Sequence, residues 1–282
     1  MNPSTGCRPL KITTADGVGI SAQDWGNASG PEIIFVHGML QCHLSWSKQF
    51  DSPLALKFRL ITYDFRGHGG SDKPVDPNYY NDSAKFAEEL RAVMDAAGLK
   101  RPILVGWSFG TRIISDYLLK FGSAGLAGLN LVAPVMSPNP EHFGPGIKKL
   151  AKSRDADFAT SISGIKEFLR ACFVNQPARD EMETMLVYSA SVPLEIRRSF
   201  GRSASDTETL QALMRSLDVP VLISHGLEDQ VILPELSRWL TAMIPTAELS
   251  LYQESGHAPF FEESARFNRE LEAFAARTSQ GS

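Results

Sequence analysis

Ile103-Leu104-Val105-Gly106-Trp107-Ser108-Phe109-Gly110 is the stretch on which the fold turns. A short apolar run ends in Gly-x-Ser-x-Gly, and a helical stripe of Ile113, Ile114, Tyr117, Leu118 and Phe121 follows, closed by Gly122. A strand passing into a helix through so tight a turn strains the serine backbone and pushes its hydroxyl out from the sheet edge. Glycines two before and two after the serine keep side chains from colliding across that turn. The helix that starts at Phe109 brings its positive amino-terminal dipole end to the same point.

Working outward, apolar runs of the kind found in buried parallel strands recur at Ile33–Val36, Leu60–Tyr63, Leu129–Val132, Val219–Ile223 and Leu249–Tyr252. Lys11–Thr14 and Val18–Trp25 flank Ala15-Asp16-Gly17 and read as an antiparallel hairpin that begins the sheet. Helical patterns alternate with the runs: Phe86, Leu90, Met94 and Ala97 behind an Asn81-Asp82-Ser83 cap, then Phe260, Phe267, Leu271 and Phe274 near the end. This order predicts an α/β fold with a mostly parallel eight-stranded sheet flanked by helices. Between about Pro134 and Ser205 no convincing strand occurs, and the stretch is too long for a loop. It is expected to be a helical cap inserted after strand 6, over a core of 1–133 and 206–282. Ser205-Asp206-Thr207-Glu208 offers a capping box for the helix that returns to the core.

Composition narrows the function. The 282 residues carry 28 Lys plus Arg against 32 Asp plus Glu, a formal charge of −4, with no basic block to form a nucleic-acid surface. No apolar run approaches a membrane span, and Met1–Arg8 lacks the layout of a signal peptide. Three widely spaced cysteines (Cys7, Cys42, Cys172) and six scattered histidines give no metal-binding spacing, so neither a metal nor a cofactor is expected. The reduced cysteines fit the cytoplasm. Oligomeric state is not readable.

A serine hydroxyl needs an imidazole to take its proton and a carboxylate to orient that imidazole. His257, in Ser255-Gly256-His257-Ala258-Pro259 after the last strand, is the best placed of the histidines. A loop at the carboxyl end of a parallel strand is where such sheets present their chemistry. The acid is expected after the penultimate strand, in His225-Gly226-Leu227-Glu228-Asp229-Gln230, where both Glu228 and Asp229 are available. The backbone N–H of Phe109 and one from His37-Gly38-Met39, with Met39 preferred, are the candidate oxyanion donors. His37 is read as shaping that loop, His68 as loop packing, and His225 as a buried, hydrogen-bonded residue.

Five segments in this order resemble the α/β-hydrolase superfamily over nearly the whole chain: His37-Gly38-Met39, Asp64-Phe65-Arg66-Gly67-His68-Gly69-Gly70-Ser71, Gly106-Trp107-Ser108-Phe109-Gly110, Gly226-Leu227-Glu228-Asp229 and Gly256-His257-Ala258-Pro259-Phe260. The resemblance favours Asp229 over Glu228 and makes Ser108, Asp229 and His257 the catalytic residues. It implies a branch holding epoxide hydrolases, dehalogenases, esterases and cofactor-free perhydrolases. Ser108 argues against the first two, which use an aspartate nucleophile. The elbow and the Gly-His-Ala-Pro-Phe segment look most like serine esterases and N-acyl-homoserine lactonases, with an ester or lactone as the small-molecule substrate. Carbon–carbon cleavage, perhydrolysis and a hydrolase-fold ligand receptor are the rival readings. The pocket is expected to be apolar, built from Trp107, Val231 and Phe260 with Met136 and Phe143 from the cap. Phe158, Phe168, Phe173 and Tyr188 are further candidates, and no charged recognition element is evident.

Overall fold

The computed structural model describes residues 6–137, 139–200 and 206–279. Its eight strands are β1 (Arg8–Thr13), β2 (Gly19–Gly26), β3 (Glu32–Val36), β4 (Arg59–Asp64), β5 (Ile103–Trp107), β6 (Gly128–Val132), β7 (Val221–Gly226) and β8 (Ala247–Tyr252). They form one sheet in the order β1-β2-β4-β3-β5-β6-β7-β8. β2 pairs antiparallel with both neighbours, and every other pairing is parallel. From β3 the chain steps outward to β4, then crosses back to lay β5 on the other side of β3. That reversal opens a crevice at the carboxyl ends of β3 and β5, where open α/β sheets hold ligands.

One-turn helices α1 (Ser47–Phe50) and α2 (Leu54–Lys57) lead into β4, and α3 (Ser83–Ala96) and α4 (Phe109–Phe121) flank β5 in sequence. Asp82 caps α3 by accepting from the Ala84 N–H, and Gly98 (φ +65°) lies just past its end. Between β6 and β7 lie α5 (Gly146–Lys152), α6 (Phe158–Ala171), α7 (Arg179–Ala190), α8 (Leu194–Ser199) and α9 (Thr207–Ser216), with no strand among the described residues. α10 (Pro234–Met243), α11 (Pro259–Glu262) and α12 (Ser264–Ser279) complete the chain. β5, β6 and β7 are buried along their whole lengths, as strands covered on both faces must be.

Three details depart from the sequence reading. β7 starts at Val221 rather than Val219 and runs on through Ser224, His225 and Gly226. Pro220 has no N–H for the ladder, although its carbonyl accepts from Leu129, and the polar end of the strand is hidden because its side chains find partners inside. The aromatic stripe near the carboxyl end is two helices, broken at Glu263, whose carboxylate turns to accept from Ser255. The cap of α9 is Asp206, accepting from the Thr209 N–H; Ser205 lies outside the described residues.

The Asp64–Ser71 turn is tied from within. Arg66, fully buried, gives Nε to Glu89 at 2.8 Å and Nη1 to Asp16 at 2.7 Å, while the Arg66 N–H also reaches Glu89. Asp64 accepts from the N–H groups of His43 (2.6 Å) and Gly70 (2.8 Å). Glu89→Ala strands part of a buried guanidinium and a buried N–H, so it should lower unfolding stability by about 3 kcal/mol in a urea titration. A loss under about 0.5 kcal/mol contradicts this role.

Candidate functional site

Ser108 joins β5 to α4 at φ 52° and ψ −118°, a backbone that costs a non-glycine residue roughly 1–3 kcal/mol. The neighbours hold it there. A Cβ on Gly110 would lie 2.3 Å from the Val36 carbonyl oxygen, and one on Gly106 would lie 2.9 Å from the Gly110 backbone, so only glycine fits either position. The Ser108 N–H donates to Val132 O at 2.9 Å. Thr111 adds a clamp that the sequence did not reveal: its hydroxyl donates to the Ser108 carbonyl at 2.6 Å and accepts from the Val135 N–H at 2.9 Å. The elbow is thus bonded to the first residues beyond β6.

Two neutral histidines shape the loop after β3. His37 Nε2 accepts from the Phe65 N–H at 3.3 Å, so its Nδ1 donates to Gly38 O at 2.8 Å. His68 Nε2 accepts from the Leu40 N–H at 3.1 Å, and its Nδ1 donates to Arg66 O at 3.2 Å. Both rings are buried, and burial lowers both pKa values, that of His37 to about 4. Leu40 takes a positive φ of 62°, which curls the chain around Met39. Met39 and Phe109 both border the cavity described below, and the Phe109 N–H belongs to the first turn of α4, where no helical acceptor exists.

The acid lies where β7 turns into α10. Asp229 is fully buried, whereas Glu228 is exposed. Asp229 Oδ1 accepts from the N–H groups of Val231 (2.7 Å) and Ile232 (3.0 Å). Its Oδ2 accepts from His257 Nδ1 at 2.7 Å and from His225 Nε2 at 3.0 Å. Burial pushes this carboxyl up, but the His257 and His225 rings outweigh it and hold it well below the ordinary carboxylate range. His225 has its own support, since Ser237 Oγ donates to its Nδ1 at 2.6 Å. With Nδ1 of His257 donating to a carboxylate, Nε2 carries the lone pair, the form that can take a proton. That Nε2 is buried and makes no hydrogen bond among the described residues, with Ser108 or any other. His257 is thus bonded to Asp229 and not to Ser108.

Ser108 borders a cavity of about 120 Å³ with Met39, Phe109, Phe143, Phe168 and Val231 among its walls. Of the other pocket candidates, Trp107, Phe260 and Met136 are buried but do not line it. Trp107 instead donates Nε1 to the His257 carbonyl at 2.7 Å and packs on Phe260. Phe158 is 76% exposed, Phe173 packs on Phe261, and Tyr188 donates to Gln41. Arg154 also lines the cavity, a charged group in a site expected to have none. Its sequence setting, Lys152-Ser153-Arg154-Asp155, looks like any solvated helix end, so only the fold exposes its role. A groove of about 570 Å³ on α6 and α7 has no serine, threonine, cysteine or histidine in its lining. Cys42, His43 and Asp64 gather their ligand atoms within 4.8 Å, but they suit a metal poorly. Burial raises the Cys42 thiol to about 12, and Asp64 already accepts from two backbone N–H groups and from His43 Nδ1.

Comparison with known proteins fits this geometry. Residues 31–264 match the family model described as the alpha/beta hydrolase fold, so the chain belongs to that family. Among solved structures, a Burkholderia cenocepacia protein assigned as an aryl esterase superposes with a TM-score of 0.90 at 35% identity, covering 96% of this chain and 99% of that one. An esterase from Rhodococcus sp. ECU1013 follows at 0.87 and 30%, covering 95% and 98%. A bifunctional esterase/perhydrolase from Acinetobacter calcoaceticus is 28% identical over 278 residues, 93% of this chain and 98% of its own. The chain is a hydrolase-family protein with esterase relatives, and no described helix is long and apolar enough to cross a membrane.

Because the fold holds His37 neutral, folding resists its protonation while the unfolded chain does not. Its contribution is full above pH 6.5 and is lost as the pH falls toward 4. The destabilisation caused by His37→Gln should accordingly be largest near pH 7 and shrink toward pH 5 in denaturant titrations. A penalty independent of pH contradicts the neutral-ring assignment.

Proposed function

We propose that this chain is a carboxylic ester hydrolase working through an acyl-enzyme on Ser108, with Asp229 and His257 as acid and base. The observation that carries the reading is the His257 ring: one nitrogen is fixed on a deeply ionised Asp229, and the other is buried and unsatisfied. A buried polar atom left without a partner in a cleft is a standing cost, and it is sensible where a proton is to be received. The strained Ser108 backbone supports the same reading, because such strain brings no packing gain.

In the first step Ser108 Oγ bonds to the ester carbonyl carbon and His257 Nε2 takes its proton. The Ser108–His257 hydrogen bond must form first, and catalytic hydrogen bonds commonly tighten only when substrate binds. The N–H groups of Met39 and Phe109 receive the oxyanion. Collapse breaks the bond to the alcohol oxygen, which takes the proton from His257. Water then repeats the sequence, losing its proton to His257 and releasing the acid and free Ser108. A lactone substrate follows the same steps, with both products in one molecule. The segment 134–205 acts as a cap over the site on a core of 1–133 and 206–282. In support, it bonds to every loop that carries the chemistry: Val135 to Thr111, Ser189 to Leu40, Gly146 to Gln230, and Cys172 to His257.

Ser108→Ala should abolish fluorophosphonate labelling and lower kcat on a short ethyl ester by about 10⁶-fold, with Asp229→Asn costing less, about 10⁴-fold. Steady multiple turnover by the wild type separates an enzyme from a receptor. Wild-type rates in Ser108→Ala would falsify the assignment.

A further inference from the structure

Arg154 follows α5 in the chain, and its backbone is anchored: its N–H donates to Ala151 O at 3.0 Å, and its carbonyl accepts from Arg198 Nε at 2.9 Å. Its guanidinium makes no hydrogen bond or ion pair among the described residues, although the residue is half-buried against the Ser108 cavity. Other covered arginines differ. Arg66 holds Glu89 and Asp16, Arg59 holds Asp24, and Arg197 donates to Ser153 O and Ser161 Oγ. Burial lowers the pKa of Arg154 from the usual arginine value, and no carboxylate acts in the other direction. A partly desolvated cation without a counter-charge, on a residue that lines a cavity whose other walls are almost wholly apolar, is an unsatisfied binding group.

We propose that the Ser108 site takes esters whose acyl chain ends in a carboxylate, and that Arg154 binds that carboxylate. The inference rests on the serine-ester reading and names the substrate class for it. A guanidinium fork matches a carboxylate in two parallel hydrogen bonds, and the apolar walls suit the methylenes between the two ends. The volume of about 120 Å³ sets the length. A dry cavity of roughly 150 Å³ holds a benzene ring, so this one takes only a short chain between the carbonyl at Ser108 and the carboxylate at Arg154, such as the three methylenes of a glutaryl unit. The reaction is simple hydrolysis of a hemiester, releasing the dicarboxylate and an alcohol. The competing arrangement has the Arg154 stem lining the wall while its head stays in water.

The test compares ethyl hemiglutarate with ethyl 5-methylhexanoate, its neutral isostere, by pH-stat at pH 7.5. The wild type should favour the hemiester in kcat/KM by at least tenfold. Arg154→Met should reduce that ratio by tenfold or more, and Arg154→Lys should keep part of it. Circular dichroism checks that each variant is folded, and Arg154→Gln replaces Met should the latter not fold. An unchanged ratio in Arg154→Met, or a wild type that prefers the neutral ester, overturns the role of Arg154 and leaves the Ser108 mechanism standing. Turnover of neither ester by wild type overturns both.

Discussion

The architecture depends on one residue kept in a conformation it would not choose. Ser108 stays at positive φ because Gly110 lies against the Val36 carbonyl, Gly106 lies against Gly110, and Val132 O and Thr111 Oγ1 hold the two ends of the turn. Strain of roughly 1–3 kcal/mol persists only where the surroundings leave no alternative. Those surroundings are the central strands β3, β5 and β6, which contribute some of the most deeply buried residues in the chain. The site is accordingly as stiff as the sheet beneath it. The crossover that places β5 beside β3 also sets the elbow against the loop of Met39, so Ser108 and that loop inherit their spacing from the strand order.

Charge around the site is arranged so that His37, His68 and Asp229 each keep one protonation state. Neutral His37 and His68 each use one nitrogen as donor and the other as acceptor, so the loop they shape cannot exchange tautomers without losing a bond. Asp229 takes four hydrogen bonds, two from backbone and two from histidines, and a carboxylate so supplied stays ionised. His225 therefore does more than fill the interior. By donating to the same oxygen as His257, it is a second anchor for that carboxylate.

Much of this was legible in the residues. The strands announced themselves as apolar runs because both faces are covered, and the turn glycines marked the hairpin and the elbow. What periodicity could not show were polar side chains with internal partners. Ser224 and His225 extend β7, Thr111 clamps the elbow, and Trp107 supports the His257 loop through its indole N–H rather than facing substrate. Arg154 was invisible for the opposite reason: nothing nearby in sequence distinguishes a solvated arginine from one turned toward a cavity 46 positions from the nucleophile. Long-range contacts decide these cases, and composition carries no record of them.

The segment between β6 and β7 shows why the pocket and the machinery are coupled. It supplies Phe143, Arg154 and Phe168 to the cavity, and the same segment bonds to the elbow, the oxyanion loop, the Asp229 loop and the His257 loop. A shift of α5 or α6 that enlarged the cavity would pull on Gly144 and Gly146, whose N–H groups donate to Val231 O and Gln230 O beside the acid. Specificity and relay geometry thus share one set of backbone hydrogen bonds. Substitutions that keep this backbone and change only the lining, as at Arg154 or Phe168, reshape the cavity without moving Asp229. A fold that separates the two can present different pockets over one set of loops, and here the wall of the cavity, rather than the Ser108, Asp229 and His257 loops, is the part of the molecule free to vary.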